Sequence, residues 1–303
     1  MNTRQMTVNQ NWRLFQPLSF KQLVVVSLIL GTFFVAACAG PPEALLTASI
    51  MGGQAPLKIT FTNTSKNADQ FQWDFGDGAT ETSADAKQAI SHEYTKAGTH
   101  TVTLKAIKKA EPPQVSTATL AIRVDPGPLS KVLLLQTPIT LMAGESQTLS
   151  AQALDQFDNP ISGLSFRFKA EEAAGQVDAG GNLTAAKKAA TYTNALTVEA
   201  TQGSITKTAT ANVIVKPGPL HQVKLEPSIA TVEVAKGQAF TATAMDQYDN
   251  PIPGLSFTFK GAEKAGQVDK DGKLIAATKA GTYENALTVE VTQGAVTKTA
   301  TAN

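Results

Sequence analysis

Along most of the chain after residue 45, apolar residues recur at every second position, and the runs that show this are short. Leu57-Lys58-Ile59-Thr60-Phe61 and Phe71-Gln72-Trp73-Asp74-Phe75 alternate in this way, which predicts strands with one buried face. Leu57, Ile59 and Phe61 share one face, and Phe71, Trp73 and Phe75 share another. Trp73 is the largest core candidate, because burying such a ring removes ~150 to 250 Å² from water. Gly76-Asp77-Gly78 follows and tolerates positive φ, so a turn is expected there. Ala89–Tyr94, Thr101–Ala106 and Leu120–Val124 continue the pattern. No sustained helical periodicity competes, and Glu171–Gly175 has room for one helical turn at most.

About seven strands within about 80 residues predict a β-sandwich of immunoglobulin type for the segment that ends at Asp125. Beyond it the chain repeats itself. A shift of 91 aligns Pro126–Asn212 with Pro217–Asn303 without a gap, and direct count gives 52 identities in 87 positions, so this is a tandem duplication. Asp155-Gln156-Phe157-Asp158-Asn159-Pro160 matches Asp246-Gln247-Tyr248-Asp249-Asn250-Pro251, a turn signal, after which Leu164, Phe166 and Phe168 recur at period two. Leu196–Ala200 and Thr206–Ala211 are rich in threonine and valine and read as strands. The fold class is therefore all-β, and the repeats' resemblance to bacterial immunoglobulin-like domains, carried by the Asp-x-x-x-Asn-Pro turn, implies three tandem immunoglobulin-like sandwiches after an N-terminal signal segment. The linkers Asp125-Pro126-Gly127-Pro128 and Lys216-Pro217-Gly218-Pro219 are nearly the same; proline narrows backbone freedom, so successive domains should meet at similar angles.

The N-terminus follows another logic. The first 21 residues are polar and carry Arg4, Arg13 and Lys21 with no acid, and Leu23–Ala37 is uncharged and mostly apolar. This is the layout of a signal n-region and h-region. The run is short of the roughly 20 residues a membrane-spanning helix needs, and Gly40-Pro41-Pro42 blocks its extension. Val35-Ala36-Ala37-Cys38 resembles the bacterial lipoprotein signal, in which the cysteine becomes the mature N-terminus. That resemblance implies cleavage after residue 37, lipidation of Cys38 and anchoring by two or more acyl chains. Ala39 stands where an aspartate would retain the protein at the inner membrane. The pattern therefore implies the outer membrane, or the outer face of the membrane in a cell that has only one.

The boundaries expected are a signal peptide over 1–37, an anchor linker over 38–44, a first sandwich over 45–125, and repeats over 126–216 and 217–303. Val213-Ile214-Val215-Lys216 completes the final strand of the first copy, whereas the second stops at Asn303. Its last strand reads as cut short, and the sequence is expected to be a fragment of a longer reading frame.

Composition narrows the partners. Twenty-six basic and 25 acidic residues become 23 and 25 once residues 1–37 are removed, a net charge near −2. Nothing in that balance offers the basic surface nucleic-acid binding needs. One cysteine and three histidines exclude an internal disulfide and a cysteine-based zinc site. No Gly-x-Ser-x-Gly, Walker-type Gly-Lys-Ser/Thr or His-Glu-x-x-His element occurs, and no enzyme activity is expected.

Trp73-Asp74-Phe75-Gly76-Asp77-Gly78, His92-Glu93-Tyr94 and Gly98-Thr99-His100-Thr101-Val102-Thr103-Leu104 resemble the polycystic kidney disease (PKD) domain, in order and in spacing. His100 departs from the tyrosine usual in that family. The resemblance implies an extracellular module for spacing, protein contact or polymer contact, with no catalytic residues to carry over. The repeats resemble bacterial immunoglobulin-like domains of the invasin and intimin type, whose middle strands carry a comparable Asp-x-x-x-Asn-Pro turn; this implies a surface stalk.

Asp74 and Asp77 read first as turn acceptors and second as a carboxylate pair for calcium. His92 and His100 stand eight residues apart, but the Gly98 turn breaks their register as a metal pair. Asp155, Asp158 and Asn159, with Asp246, Asp249 and Asn250, form the one oxygen-rich cluster that occurs twice. Asx turns before proline are the first reading, and calcium stiffening of the interdomain joint is the second. Phe157 and Tyr248 read as core lids, with exposed contact aromatics as the alternative. The expected function is a non-enzymatic, lipid-anchored surface stalk; the alternative is a module that binds an extracellular polysaccharide or a surface protein, in adhesion or substrate capture.

Overall fold

A computed structural model describes residues 40–303 of the protein. The signal segment and Cys38 lie outside the described residues. Within them the regular elements are all strands, distributed over three hydrophobic cores that follow one another along the chain.

The first core lies between two sheets. Leu46–Ala48, Leu57–Asn63 and Ile90–Tyr94 form one, in which Leu57–Asn63 is central. The other, in spatial order, is Gly52–Gln54, Gln114–Asp125, Gly98–Lys108, Gln70–Asp74 and Thr80–Ser83. Period-two alternation survives as alternate burial: Leu57, Ile59 and Phe61 face inward while Lys58 and Thr62 face out. Trp73 lies opposite Leu104 in its own sheet and meets Phe61 of the facing sheet at 6.0 Å between ring centroids. Trp73, Tyr94, Phe61 and Phe71 are fully buried, so four aromatic rings fill most of a small core.

In the first repeat, Ile139–Met142, Ile205–Lys216, Ala190–Gln202 and Phe166–Ala170 make a four-stranded sheet. It encloses a core with Lys131–Leu134 paired to Ala151–Leu154 and with the sheet of Ser146–Thr148, Asn182–Ala185 and Gly175–Val177. The tail of Ile205–Lys216 is held on both sides, antiparallel to Ala190–Tyr192 and parallel to Ile139–Met142. The second repeat reproduces most of these pairings: Gln222–Glu226 with Thr241–Met245, the set Gly237–Ala239, Lys273–Ala276 and Gly266–Val268, and the set Phe257–Gly261, Leu287–Gln293 and Val296–Ala302. It has no strand at the counterpart of Ile139–Met142. The expected helical turn at Glu171–Gly175 is a single hydrogen-bonded turn, with the Ala174 and Gly175 N–H groups donating to Glu171 O.

Because Trp73 touches both sheets of the first sandwich, truncating it leaves a void that neither sheet can close alone. Trp73→Ala is expected to cost about 3 to 5 kcal/mol of unfolding free energy, read by urea denaturation of the first domain's transition.

Candidate functional site at the interdomain joints

The Asp-x-x-x-Asn-Pro element, marked by its duplication, sits at each junction between domains. Asp155 is 0% exposed and Asn159 is buried; Asp246 and Asn250 repeat this. The Asp155 carboxylate accepts hydrogen bonds from the N–H groups of Phe157 and Asn159 on one oxygen, and from Gly127 N–H and the Asn159 side-chain amide on the other, all at 2.8 to 2.9 Å. Asp246 receives the corresponding four, from Tyr248, Asn250, Gly218 and the Asn250 amide, over the same range. The turn also places Asp158 and Asp249 at φ 64 and 61, the left-handed region that Asp and Asn tolerate better than most residues.

The asparagine then reaches into the preceding domain. Asn159 Oδ1 accepts from Ala97 N–H at 2.9 Å and its amide donates to Thr95 O at 2.7 Å. Asn250 Oδ1 accepts from Ala189 N–H at 2.8 Å, and its amide donates to Lys187 O at 2.7 Å. Each joint therefore reads a three-residue loop by its backbone: Thr95-Lys96-Ala97 in the first sandwich, Lys187-Lys188-Ala189 in the first repeat. The middle lysine's carbonyl is held from four residues further on. His100 Nε2 lies 2.8 Å from Lys96 O, and the Tyr192 hydroxyl donates to Lys188 O at 2.9 Å. His100, the departure from the PKD pattern, thus occupies the post that a tyrosine holds in the repeat.

The aromatic residue of the element caps the core behind it. Phe157 packs against the core of the first sandwich and Tyr248 against that of the first repeat. Lys96 Nζ donates to Phe157 O at 2.8 Å, and Lys187 Nζ lies 5.8 Å from the centre of the Tyr248 ring. Both are lids, but of the neighbouring domain.

The linkers are equally constrained. Pro126 and Pro128 have no N–H; of the three donors before the next strand, Gly127 serves Asp155, Leu129 donates to the Gln202 side chain at 2.7 Å and Ser130 donates to Leu154 O at 2.9 Å. Gly218 and Leu220 repeat this with Asp246 and Gln293. A Cβ at Gly127 would come within 2.4 Å of Ala55 O in the preceding sandwich, so glycine is required there by close approach. Gln202 and Gln293 are functional residues that sequence reasoning passed over; their only signal was identity at the same offset in both copies.

These carboxylates do not suit a cation. Four N–H donors take up the acceptor directions that calcium needs, and the Asn159 and Asn250 side-chain oxygens are used across the joint. Asp158 pairs with Lys131 instead, and Asp249 accepts from the Gln222 amide. Among the described residues no three His, Cys, Asp or Glu side chains converge.

The remaining candidates lie in the first sandwich. Asp74 accepts from Gly76 N–H at 2.9 Å and Asp77 from Ala79 N–H at 3.0 Å, and the second Asp77 oxygen lies 2.6 Å from His92 Nε2. The His92 ring stacks on Phe75 at 4.2 Å and meets Tyr94 edge-on at 4.7 Å, while the His100 ring lies 4.8 Å from that of Tyr94. Two facing sheets thus bring both histidines against one tyrosine. The Tyr94 hydroxyl donates to Phe75 O, and burial, with Asp77 and Asp74 adding to it, pushes its pKa well up. Burial acts to raise the Asp77 carboxyl as well, but the His92 ring and Ala79 N–H outweigh it and hold it below its usual value. The group is a clamp across the turn.

Residues 40–124 match the PKD domain family. Over this stretch the chain is 32% identical to the PKD1 domain of the Vibrio cholerae metalloprotease PrtV, covering 28% of this chain and 99% of that one with a TM-score of 0.23. The first sandwich is a PKD domain. The PKD1 domain of Vibrio anguillarum Epp is 25% identical over 29% of this chain and 99% of that one, TM-score 0.24. The human desmocollin-1 ectodomain is similar over 87% of this chain and 58% of that one, at 14% identity and TM-score 0.48. Curated protein sequences yield no match to the chain.

Two outcomes follow from the joints. Asn250→Ala removes both backbone contacts to the first repeat and is expected to lower the coupling between the two repeats by about 1 to 3 kcal/mol, read as a separation of their unfolding transitions in calorimetry. Burial acts to raise the pKa of Asp155 and Asp246, but their hydrogen bonds win and both lie below the usual carboxylate value. A depressed native pKa stabilises the fold above the unfolded value of about 4 and loses that contribution as pH falls through the native value. The unfolding temperature should therefore vary little with these groups above about pH 4 and fall below it; Asp246→Ala should reduce the size of that acid-dependent fall.

Proposed function

We propose that the protein is a non-enzymatic, lipid-anchored surface stalk, in which a PKD domain and two bacterial immunoglobulin-like repeats of the invasin and intimin type are held in series at a fixed attitude. The observation that carries this reading is the pair of joints. Two junctions between unlike domain pairs, PKD to repeat and repeat to repeat, repeat the four hydrogen bonds on the aspartate, the two from the asparagine to the preceding loop and the one from the linker to the glutamine. A chain selected to bind with each module has no need to copy its junctions, whereas a chain selected for reach does. Cys38 is the lipid attachment point, and the outer membrane, or the outer face of a single membrane, is the place.

The use of aromatic residues supports spacing over capture of a polysaccharide. Trp73, Phe61, Phe71 and Phe75 fill the PKD core, and Phe157 and Tyr248 are taken up at the joints. The large hydrophobic side chains exposed among the described residues are aliphatic, and sugar rings are recognised best by exposed aromatic faces. Binding of a polysaccharide or a surface protein in adhesion or substrate capture remains the alternative function.

Expression in a bacterial host with metabolic labelling by palmitate tests the anchor. The wild-type chain should carry label and sediment with membranes, and Cys38→Ser should carry none and appear in the soluble extracytoplasmic fraction; a labelled or still membrane-bound Cys38→Ser chain would sink the lipid assignment. Glycan and surface-protein arrays probed with the ectodomain test the stalk, for which blank arrays are expected and specific retention would favour the binding alternative.

A further inference from the structure

The far end of the second repeat carries two unfilled features that are filled at the far end of the first. The first is a groove of about 380 Å³ lined by Ala230, Val232, Val234, Gly281, Tyr283 and Asn303, over Phe240 and Leu274. Its counterpart in the first repeat lies between Ile139–Met142 and Ala190–Tyr192 and is occupied by Val213–Lys216, which buries Val213 and Val215 against Ile139, Leu141 and Ala143. The ladder in the second repeat stops after one rung on this side, with Ala230 N–H donating to Asn303 O at 2.9 Å. Val234, whose counterpart Ala143 donates to Lys216 O at 2.8 Å, is 48% exposed, and Ile229 is 73% exposed. The groove's mouth is nevertheless set: Asn303 holds Asn285 N–H at 2.6 Å as Asn212 holds Asn194 N–H at 2.8 Å.

The second feature is the loop Thr278-Lys279-Ala280. It is the counterpart of Lys187-Lys188-Ala189, which receives Asn250, and with Gly281-Thr282 it repeats Thr95-Lys96-Ala97-Gly98-Thr99 of the PKD domain, which receives Asn159. The Tyr283 hydroxyl pins Lys279 O at 2.8 Å, as His100 and Tyr192 pin the lysines of the other two loops. Among the described residues nothing bonds to Thr278 O or Ala280 N–H.

We propose that this end of the second repeat is a preformed docking surface for a further module of the same type, joined through a strand with valine or isoleucine at alternate positions that lies in the groove, as Val213–Lys216 does one repeat earlier, and whose Asp-x-x-x-Asn-Pro asparagine pairs with Thr278 O and Ala280 N–H. The occupant is named by the chain itself, since Val213–Lys216 and Asn250 occupy the same two places one repeat earlier. A strand there completes the sheet by main-chain hydrogen bonds and fixes its register by alternate apolar side chains. This does not depend on the stalk reading, because it concerns what the surface accepts and not what the whole protein does.

The test is backbone amide exchange on the full chain and on the same chain with a second copy of residues 213–303 joined after Asn303. The amides of Val232, Val234 and Ala280 are expected to exchange at least about tenfold more slowly in the extended chain. Changing the added copy's counterpart of Asn250 to Ala should restore the fast rate at Ala280 and leave Val232 and Val234 slow. The unextended chain with a millimolar synthetic peptide Asn-Val-Ile-Val-Lys-Pro gives a reading independent of how the added copy folds. It should slow Val232 and Val234, and a peptide with serine for both valines should not. Unchanged rates at Val232 and Val234 with both extension and peptide would overturn the groove assignment, and a rate at Ala280 indifferent to the asparagine would overturn the pairing.

Discussion

Two carboxylates buried without a cation beside them set the terms for the rest of the molecule. Removing an ionised carboxylate from water costs several kcal/mol even after relaxation, and neither Asp155 nor Asp246 has a lysine or arginine among its hydrogen-bond partners. Each must therefore collect N–H groups. Two come from its own turn, one from the linker glycine and one from the asparagine four residues on. That requirement makes the turn tight, draws the linker onto the domain it precedes and fixes the rotamer of the asparagine. The joint is assembled from the inside of the following domain, and the preceding domain needs only to offer a loop.

Reading that loop by its backbone explains how one device serves unlike neighbours. Asn159 and Asn250 pair with an N–H and a C=O that every residue except proline possesses, so Thr95 in the PKD domain and Lys187 in the repeat are equivalent to the element that reads them. The apolar lid is as permissive, since Phe157 and Tyr248 cover cores of different composition. Burial of the ring supplies non-directional attraction, and the amide pair supplies direction. Because the contacts that cross the joint are mainly neutral, salt should screen them little compared with an ion pair at the same place.

Much of this was legible in the sequence, and what was not failed for identifiable reasons. The period-two runs around Trp73 and Phe61 become strands with the faces expected, and the PKD motifs fall where the fold requires them. The Asp-x-x-x-Asn-Pro element was recognisable as a turn. Its partners were not, because a side chain that pairs with backbone leaves no trace in the identity of the residues it reads. Phe157 and Tyr248 were legible as lids, but periodicity assigns a face to a residue and not a neighbouring domain. The long reach of Gln202 to Leu129 spans 73 positions, far beyond any local pattern. The three Lys-Ala loops became visible as a set only when two were seen to be occupied.

The pinned lysine carbonyl carries the same lesson on a smaller scale. Four residues after Lys96, Lys188 and Lys279 stand His100, Tyr192 and Tyr283, two chemically different donors on two kinds of sandwich. Neither is a hydrogen-bond partner of the asparagine that the loop receives. What they share is a ring long enough to reach back to the loop and a polar tip to meet its lysine carbonyl. A loop held in this way does not have to be ordered when the asparagine arrives, so the entropy of fixing it has been met within its own domain. His100 differs from the tyrosines in having a second ring nitrogen, which lies 3.4 Å from Gly76 O. A neutral imidazole carries one N–H and both neighbours are carbonyl oxygens, so the short contact to Lys96 O is the hydrogen bond, and the second nitrogen sets the ring beside the Gly76-Asp77-Gly78 turn without bonding to it; the departure from the family pattern at residue 100 thus keeps the hold on the loop carbonyl with a different ring.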